Sequence, residues 1–257
     1  MTDMEQIKKR KSDHIEFLNA DTGVFVSAAH TFGTDAMLLA DFAAPKRKDK
    51  ACDLGTGCGI IPLLWFRDKL CASVDGVELQ EQAFLQFQKS IAYNHAESVL
   101  TAYHLDLKDA PEVLPNGAYD LVTMNPPYKA AGAGIKSEAA HAQIARHEIY
   151  CTLDDIAKTA FKLLKFGGRF CMCIRPERLA EALAAMEKQR IEPKRLRLVA
   201  KNKDCPPWLC LLEGRSGGKR GMTVLPNLFL YEPDGTESEE LRRITGAYAE
   251  TSQKEGE

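Results

Sequence analysis

Residues 51–66 constrain the fold more than any other stretch. The apolar run Ala51-Cys52-Asp53-Leu54 ends in Gly55-Thr56-Gly57-Cys58-Gly59, which passes directly into the apolar segment 60–66. A short buried strand, a glycine turn and a helix in that order belong to a parallel sheet, where each strand needs a crossover before the next can pair with it. The alternation continues. Residues 74–78 and 100–105 read as the second and third strands, 80–95 as a helix between them, and Tyr119-Asp120-Leu121-Val122-Thr123-Met124 as a fourth strand. Residues 169–175, 195–201 and 208–213 supply further strands, 177–189 a helix and 228–232 a closing strand. This pattern predicts a doubly wound α/β domain.

Local signals mark its boundaries. Residues 1–30 read as a polar extension with short β elements, in which Asn19-Ala20-Asp21-Thr22-Gly23 turns into the strand Val24-Phe25-Val26. Thr34 is placed to N-cap a helix bearing Met37, Leu38 and Phe42 on one face. Thr152-Leu153-Asp154-Asp155 resembles a capping box with Asp in place of Glu, and Gly167-Gly168 is placed to stop the helix it opens. The main domain is expected over 31–236, followed by an acidic tail over 237–257 that is helical or frayed.

The glycine loop carries chemistry as well as topology. Its G-x-G-x-G spacing differs from the G-x-G-x-x-G of a dinucleotide fingerprint and lacks the Lys-Ser/Thr of a phosphate loop. Asp53 beside it suits a ligand bearing an ammonium group better than a pyrophosphate. Glu78, at the second strand end, can accept both hydroxyls of a ribose, and Asp106, past the third, can accept from an adenine amino group. Read singly, Glu78 is more readily a helix N-terminal acid and Asp106 a cap than ligand contacts. Their placement at successive strand ends favours a shared ligand.

Past the fourth strand stands Asn125-Pro126-Pro127-Tyr128. The prolines end ladder pairing, Asn125 offers a side-chain carbonyl, Pro126 a backbone carbonyl and Tyr128 a flat face. Two acceptors and a stacking ring fit a planar exocyclic amine.

Composition narrows the setting. No apolar run approaches the ~20 residues of a membrane span, and the charged start lacks the apolar stretch of a signal peptide, so a cytoplasmic protein is expected. Eight cysteines without a C-x-x-C pair or histidine partners agree with a reducing compartment and with no metal site. Net charge is −2, yet residues 162–221 hold 15 Lys/Arg against 6 Asp/Glu, while 232–257 hold 3 against 8. Such a basic region faces phosphate only if the chemistry calls for a polyanion.

Together Asp53-x-Gly55-x-Gly57-x-Gly59, Glu78, Asp106 and Asn125-Pro126-Pro127-Tyr128 resemble the motifs of class I S-adenosylmethionine-dependent methyltransferases that act on amino nitrogens. Phe32-Gly33-Thr34-Asp35-Ala36-x-Leu38-Leu39, Arg146-His147-Glu148, Leu212-Glu213-Gly214-Arg215 and Val224-Leu225-Pro226 are similar, more narrowly, to the bacterial tRNA1(Val) adenine-37 N6-methyltransferase family. The resemblance implies a Rossmann-like, seven-stranded, mostly parallel sheet and S-adenosylmethionine as methyl donor, leaving S-adenosylhomocysteine. It assigns Asp53 to the methionine amino group, Glu78 to the ribose, Asp106 and Leu107 to the adenine, and Phe32, Gly33 and Thr34 to the methionine end. Gly55, Gly57, Gly59 and Asn125 complete the cofactor set. Asn125, Pro126, Pro127 and Tyr128 form the catalytic set, in which Asn125 and the Pro126 carbonyl would accept from the target amine and Tyr128 would stack on the base. Direct transfer to the amine needs neither a metal nor a strong base. A tRNA partner gives the basic residues a use, and Lys8, Lys9, Arg10, Lys11, Lys129, Lys136, Arg195, Arg197, Arg215, Lys219 and Arg220 are the phosphate-contact candidates, in a protein expected to be monomeric. Arg146-His147-Glu148 fits organisation of the substrate loop better than proton transfer.

Three related chemistries share the tetrapeptide. Protein glutamine N5-methyltransferases usually carry a sizeable N-terminal helical domain, which the ~50 residues before the glycine loop cannot supply. DNA adenine enzymes usually carry an inserted recognition domain, of which there is no sign. Guanine N2-methyltransferases differ only weakly, in the aromatic after the prolines. An intact Asn125 and Tyr128 argue against a binding protein without catalysis.

Overall fold

The computed structural model describes residues 13–126, 151–246 and 248. The candidates Lys8 to Lys11, Pro127, Tyr128, Lys129, Lys136 and Arg146-His147-Glu148 lie outside them.

The chain opens with an antiparallel hairpin, β1 (His14–Phe17) and β2 (Gly23–Val26), whose turn closes on Asn19 Oδ1, the acceptor for the Asp21 and Thr22 amides. Helix α1 (Thr34–Ala43) follows. Then come β3 (Lys50–Leu54), α2 (Ile60–Arg67), β4 (Ser73–Glu78), α3 (Glu81–Tyr93), β5 (Leu100–His104), α4 (Ala110–Val113) and β6 (Tyr119–Met124). The described chain resumes into α5 (Leu153–Leu163), β7 (Leu164–Ile174), α6 (Leu179–Lys188), β8 (Ile191–Ala200) and β9 (Pro207–Ser216). The two-residue strands β10 (Thr223–Val224) and β11 (Leu228–Phe229) and helix α7 (Glu239–Thr245) complete it.

Seven strands form the body of the sheet in the order β5-β4-β3-β6-β7-β9-β8, and β10 and β11 both add to β8. Among the described strands of this sheet only β9 runs against its neighbours. The order reverses between β3 and β6, and at such a switch point the loops part to leave a crevice at the carboxyl ends of the strands. Register is tight there: Leu54 pairs with both Val77 and Met124, and Glu78 with His104. Period-two alternation sends Ala51, Leu121, Cys171 and Cys173 to the core under α1 and α2, and Cys52, Leu54, Val122 and Met172 to the core under α5 and α6.

Several boundaries differ from the sequence expectation. Thr34 is the first helical residue and Gly33 the N-cap, without a side-chain capping bond. The predicted capping box is present: Thr152 Oγ1 accepts from the Asp155 amide at 3.1 Å and Asp155 Oδ2 from the Thr152 amide at 3.0 Å. Its helix stops at Leu163, ahead of the glycines, because Leu164 already pairs with Tyr119. Pairing resumes at Arg169 with Leu121, so Gly167-Gly168 fall in an irregularity of β7, where a Cβ on Gly168 would lie 3.0 Å from two backbone oxygens. Strand β8 starts at Ile191, earlier than expected, and a register shift between Pro193 and Arg195 absorbs the missing proline N–H. The acidic tail expected from 237 is in its first part a docked helix: Ser238 caps α7, Leu241 and Ile244 enter the main core, and Arg243 pairs with Asp41 at 2.7 Å. Its charges lie on the outer face, and its apolar stripe holds it down.

Candidate functional site

The glycine loop is shaped by contacts on both sides. Gly55, Gly57 and Gly59 all have positive φ, 63°, 58° and 84°. The Gly57 N–H donates to Glu78 Oε2 at 2.8 Å and the Thr56 N–H to the Val77 carbonyl at 3.0 Å, so the loop lies against the end of β4. A Cβ at Gly57 would meet nothing within 4 Å, which leaves that backbone facing open space; one at Gly59 would lie 1.9 Å from Phe87 Cδ2. Gly57 belongs to the crevice and Gly59 to the packing of α2 on α3. Gly59 lines neither cavity described below.

Three carboxylates stand at consecutive strand ends. Asp53 is 1% exposed and accepts from Thr56 Oγ1 at 2.8 Å and Thr123 Oγ1 at 2.7 Å. Burial, working against those two hydroxyls, pushes its pKa up to about 7. Glu78 accepts from the Gly57 and Gln80 amides through different oxygens, at 2.8 and 2.7 Å. Two backbone bonds leave lone pairs on a carboxylate for hydroxyl donors. Asp106 closes a short turn by accepting from the Lys108 amide at 2.9 Å, with the Lys108 ammonium 3.3 Å from its other oxygen.

Asn125 stands one residue beyond β6. Its Nδ2 donates to Asp35 Oδ2 at 3.0 Å, and the Cys173 thiol donates to its Oδ1 at 2.9 Å. Neither partner is part of the tetrapeptide: Asp35 comes from the first turn of α1 and Cys173 from the end of β7.

Two abutting cavities occupy this edge. One, of 270 Å³, is lined by Gly57, Glu78, Leu79, Asp106, Leu107 and Ile156 among others; the second, of 230 Å³, by Phe32, Gly33, Asp35, Asp53 and Thr56 among others. Thr31, Gly55, Gly57, Cys58, Asn125 and Pro126 line both. Thr34 lines neither, because as a helical residue it turns away while Thr31 and Asp35 take its place. Leu79, 49% exposed at the cavity mouth, had a readable signal as the apolar residue next to Glu78. His30, Cys151 and Arg178 also line the first cavity and had none.

The basic candidates divide by geometry. Arg195 is held by Glu213 at 2.6 Å and lies over the Phe42 ring, 4.6 Å from its centroid. Arg197 makes paired bonds of 2.6 and 2.8 Å to Glu240 on α7. Both are tied to carboxylates within the fold. Arg215 donates to the Gly167 carbonyl at 2.8 Å and pairs in register with Arg169. That level lies about 13 Å along the strands from Asn125, at ~3.3 Å per residue. Lys219 and Arg220 continue from Arg215 away from the crevice, so this loop lies toward the opposite edge of the sheet. Lys201 and Lys203, both exposed, follow the end of β8 on the crevice edge. Among the described residues no cluster of three or more potential metal ligands occurs, and no helix is long and apolar enough to cross a membrane.

A family model described as methyltransferase small domain matches residues 15–189. A relative from Parabacteroides distasonis, named tRNA1(Val) (adenine(37)-N6)-methyltransferase, is 29% identical over 183 residues, 70% of this chain and 75% of that protein. One of the same name from Yersinia pseudotuberculosis is 28% identical over 213 residues, 82% of each. Among solved structures, a predicted O-methyltransferase from Agrobacterium tumefaciens aligns with a TM-score of 0.67 at 21% identity, covering 83% of this chain and 96% of that one. Geranyl diphosphate C-methyltransferase from Streptomyces coelicolor, in complex with Mg2+, geranyl diphosphate and S-adenosyl-L-homocysteine, aligns with a TM-score of 0.52 at 15% identity, covering 70% and 78%. At these identities the structural likeness is one of fold.

Proposed function

Since the chain belongs to the methyltransferase small domain family, we propose that it is an S-adenosylmethionine-dependent N6-methyltransferase acting on an adenine of the tRNA anticodon loop, of the tRNA1(Val) adenine-37 type. The observation that carries this reading is the position of Asn125 and Pro126, which line both cavities at the sheet switch point. Kinship over 70–82% of the chain with relatives of that name supports the substrate.

The residues present fit the cofactor. Asp53 offers a buried carboxylate at the ammonium end, Glu78 offers acceptors for a ribose diol, and Leu79, Leu107 and Ile156 give an apolar slot with Asp106 at its edge. The open backbone at Gly57 lets a ligand approach closely. When bound, S-adenosylmethionine supplies an electrophilic methyl group on a sulfonium. The chain's part is to hold the amine. Asn125 Oδ1 and the Pro126 carbonyl accept its two hydrogens, which draws the nitrogen lone pair out of conjugation with the ring and aims it. Tyr128 is assigned to stack on the base, which must leave its own stack to enter, as a loop nucleotide does at low cost.

This reading takes 31–236 as the catalytic body, with the N-terminal hairpin and α7 packed on it. A monomeric, cytoplasmic enzyme is the form of this reading. The direct test is transfer of labelled methyl to bulk tRNA lacking the modification. Incorporation that Asn125→Ala abolishes supports the function; label entering a release factor and not tRNA refutes it.

A further inference from the structure

We propose that Asp35 sets the orientation of Asn125, holding its amide so that Oδ1 and not Nδ2 meets the incoming amine. The proposal rests on the amine-methylating function above. An asparagine side chain is nearly isosteric end to end, and rotating it by half a turn exchanges an acceptor for a donor. Against an amine, which presents N–H groups, the rotated amide would offer N–H to N–H. Something must select the rotamer.

The structure holds such a selector. Asp35 Oδ2 accepts from Asn125 Nδ2 at 3.0 Å. A carboxylate only accepts, so a rotated amide would set oxygen against oxygen at that distance, and the charged partner makes the correct rotamer the stronger bond. The Cys173 thiol, a weak donor, meets Oδ1 from the other side at 2.9 Å and takes one of its two lone pairs. The carboxylate is itself constrained: a Cβ at residue 33 would lie 2.5 Å from Asp35 Oδ1, so glycine there gives it room. Gly33, Asp35 and Asn125 thus act as one unit across 90 residues of sequence. As the amine nitrogen gains positive charge during transfer, the negative charge behind the amide favours that change. Asp35 is a positioning residue, acting through Asn125.

Because Asp35 also lines the second cavity, the test separates positioning from cofactor binding. Asp35→Ala and Asp35→Asn are compared with the wild type for kcat and KM on tRNA, for the Kd of S-adenosylhomocysteine by calorimetry, and for Tm. The nitrogen-proton correlation signal of the Asn125 side-chain amide, assigned by its loss in Asn125→Ala, reports orientation without turnover. Asp35→Ala should lower kcat about a hundredfold, the scale of a misplaced reacting group, with KM and Kd changing less than about threefold. Asp35→Asn keeps an acceptor without the charge and should fall between. In both, the amide signal should shift and exchange its protons faster. Unchanged kcat, or a loss lying wholly in the S-adenosylhomocysteine Kd, overturns the proposal. Should the wild type methylate no tRNA, the function fails and the amide signal still decides: altered in Asp35→Ala it supports the clamp, unchanged it refutes it.

Discussion

Asp53→Asn should make the protein more stable as pH rises, relative to the wild type, while weakening its cofactor site. Asp53 is 1% exposed, and its pKa is raised from 3.8 to about 7 chiefly by burial. Below 3.8 the folded and unfolded chains both hold the proton. From there to about 7 the unfolded chain has lost it and the folded chain keeps it, so folding is progressively disfavoured as pH rises; above about 7 the penalty is constant. The slope is roughly 1.4 kcal/mol per pH unit, and over the span from 3.8 to about 7 it accumulates to about 4 kcal/mol. An asparagine amide has the carboxyl's shape and does not ionise, and the Thr56 and Thr123 hydroxyls can rotate to suit it. Urea denaturation of both proteins across this range, without cofactor, reads the difference. A constant offset from imperfect isosterism would not alter its slope. A stability difference that stays flat from about pH 4 to 7, or that grows in favour of the wild type, would refute the account of Asp53 as a carboxylate held at a cost beside the glycine loop.

Other outcomes follow from the same geometry. An ammonium group favours ionised Asp53, so S-adenosylhomocysteine should bind more weakly as pH falls below about 7, by up to about tenfold per unit, and Asp53→Asn should flatten the profile; calorimetry at several pH values measures both. Gly59→Ala places a Cβ 1.9 Å from buried Phe87 at a φ of 84°. It should cost about 2–4 kcal/mol in chemical denaturation, from overpacking together with left-handed strain. Replacing Lys201 and Lys203 by alanine should weaken tRNA binding and flatten its salt dependence, by a slope of about 1.4–1.8 for two phosphate contacts. The Lys219, Arg220 pair on the opposite edge should change affinity less than about twofold; filter binding over a salt series tells the two pairs apart.

The strands and their carboxyl-edge residues were legible because buried parallel strands write themselves as short apolar runs, and the residue after each run is set by chemistry at the edge. Asp53, Glu78, Asp106 and Asn125 were found that way. What stayed hidden depends on distance along the chain. The pairing of Asp35 with Asn125 joins residues 90 apart, and no local pattern in 34–43 marks a carboxylate there as other than helix-terminal. The partners of the basic residues stayed hidden for a related reason. Charge is read by position in sequence, whereas Arg195 and Arg197 owe their partners, Glu213 and Glu240, to sheet pairing and to the docking of α7. The direction of β9 then carries Arg215, Lys219 and Arg220 to the far edge. The early start of β7 was equally unreadable, since Leu164 belongs to an apolar stripe that suits helix until Tyr119 pairs with it.

The central claim is that Asn125, at the switch point, delivers an adenine amine for methylation. Nucleoside mass spectrometry tests it most directly, on tRNA from a strain lacking this gene, incubated with the purified protein and S-adenosylmethionine and cut to locate the modified position. The account predicts N6-methyladenosine at position 37 of the anticodon loop, absent with Asn125→Ala. Methylation of another base or ring position, or N6-methyladenosine that persists without Asn125, would contradict it.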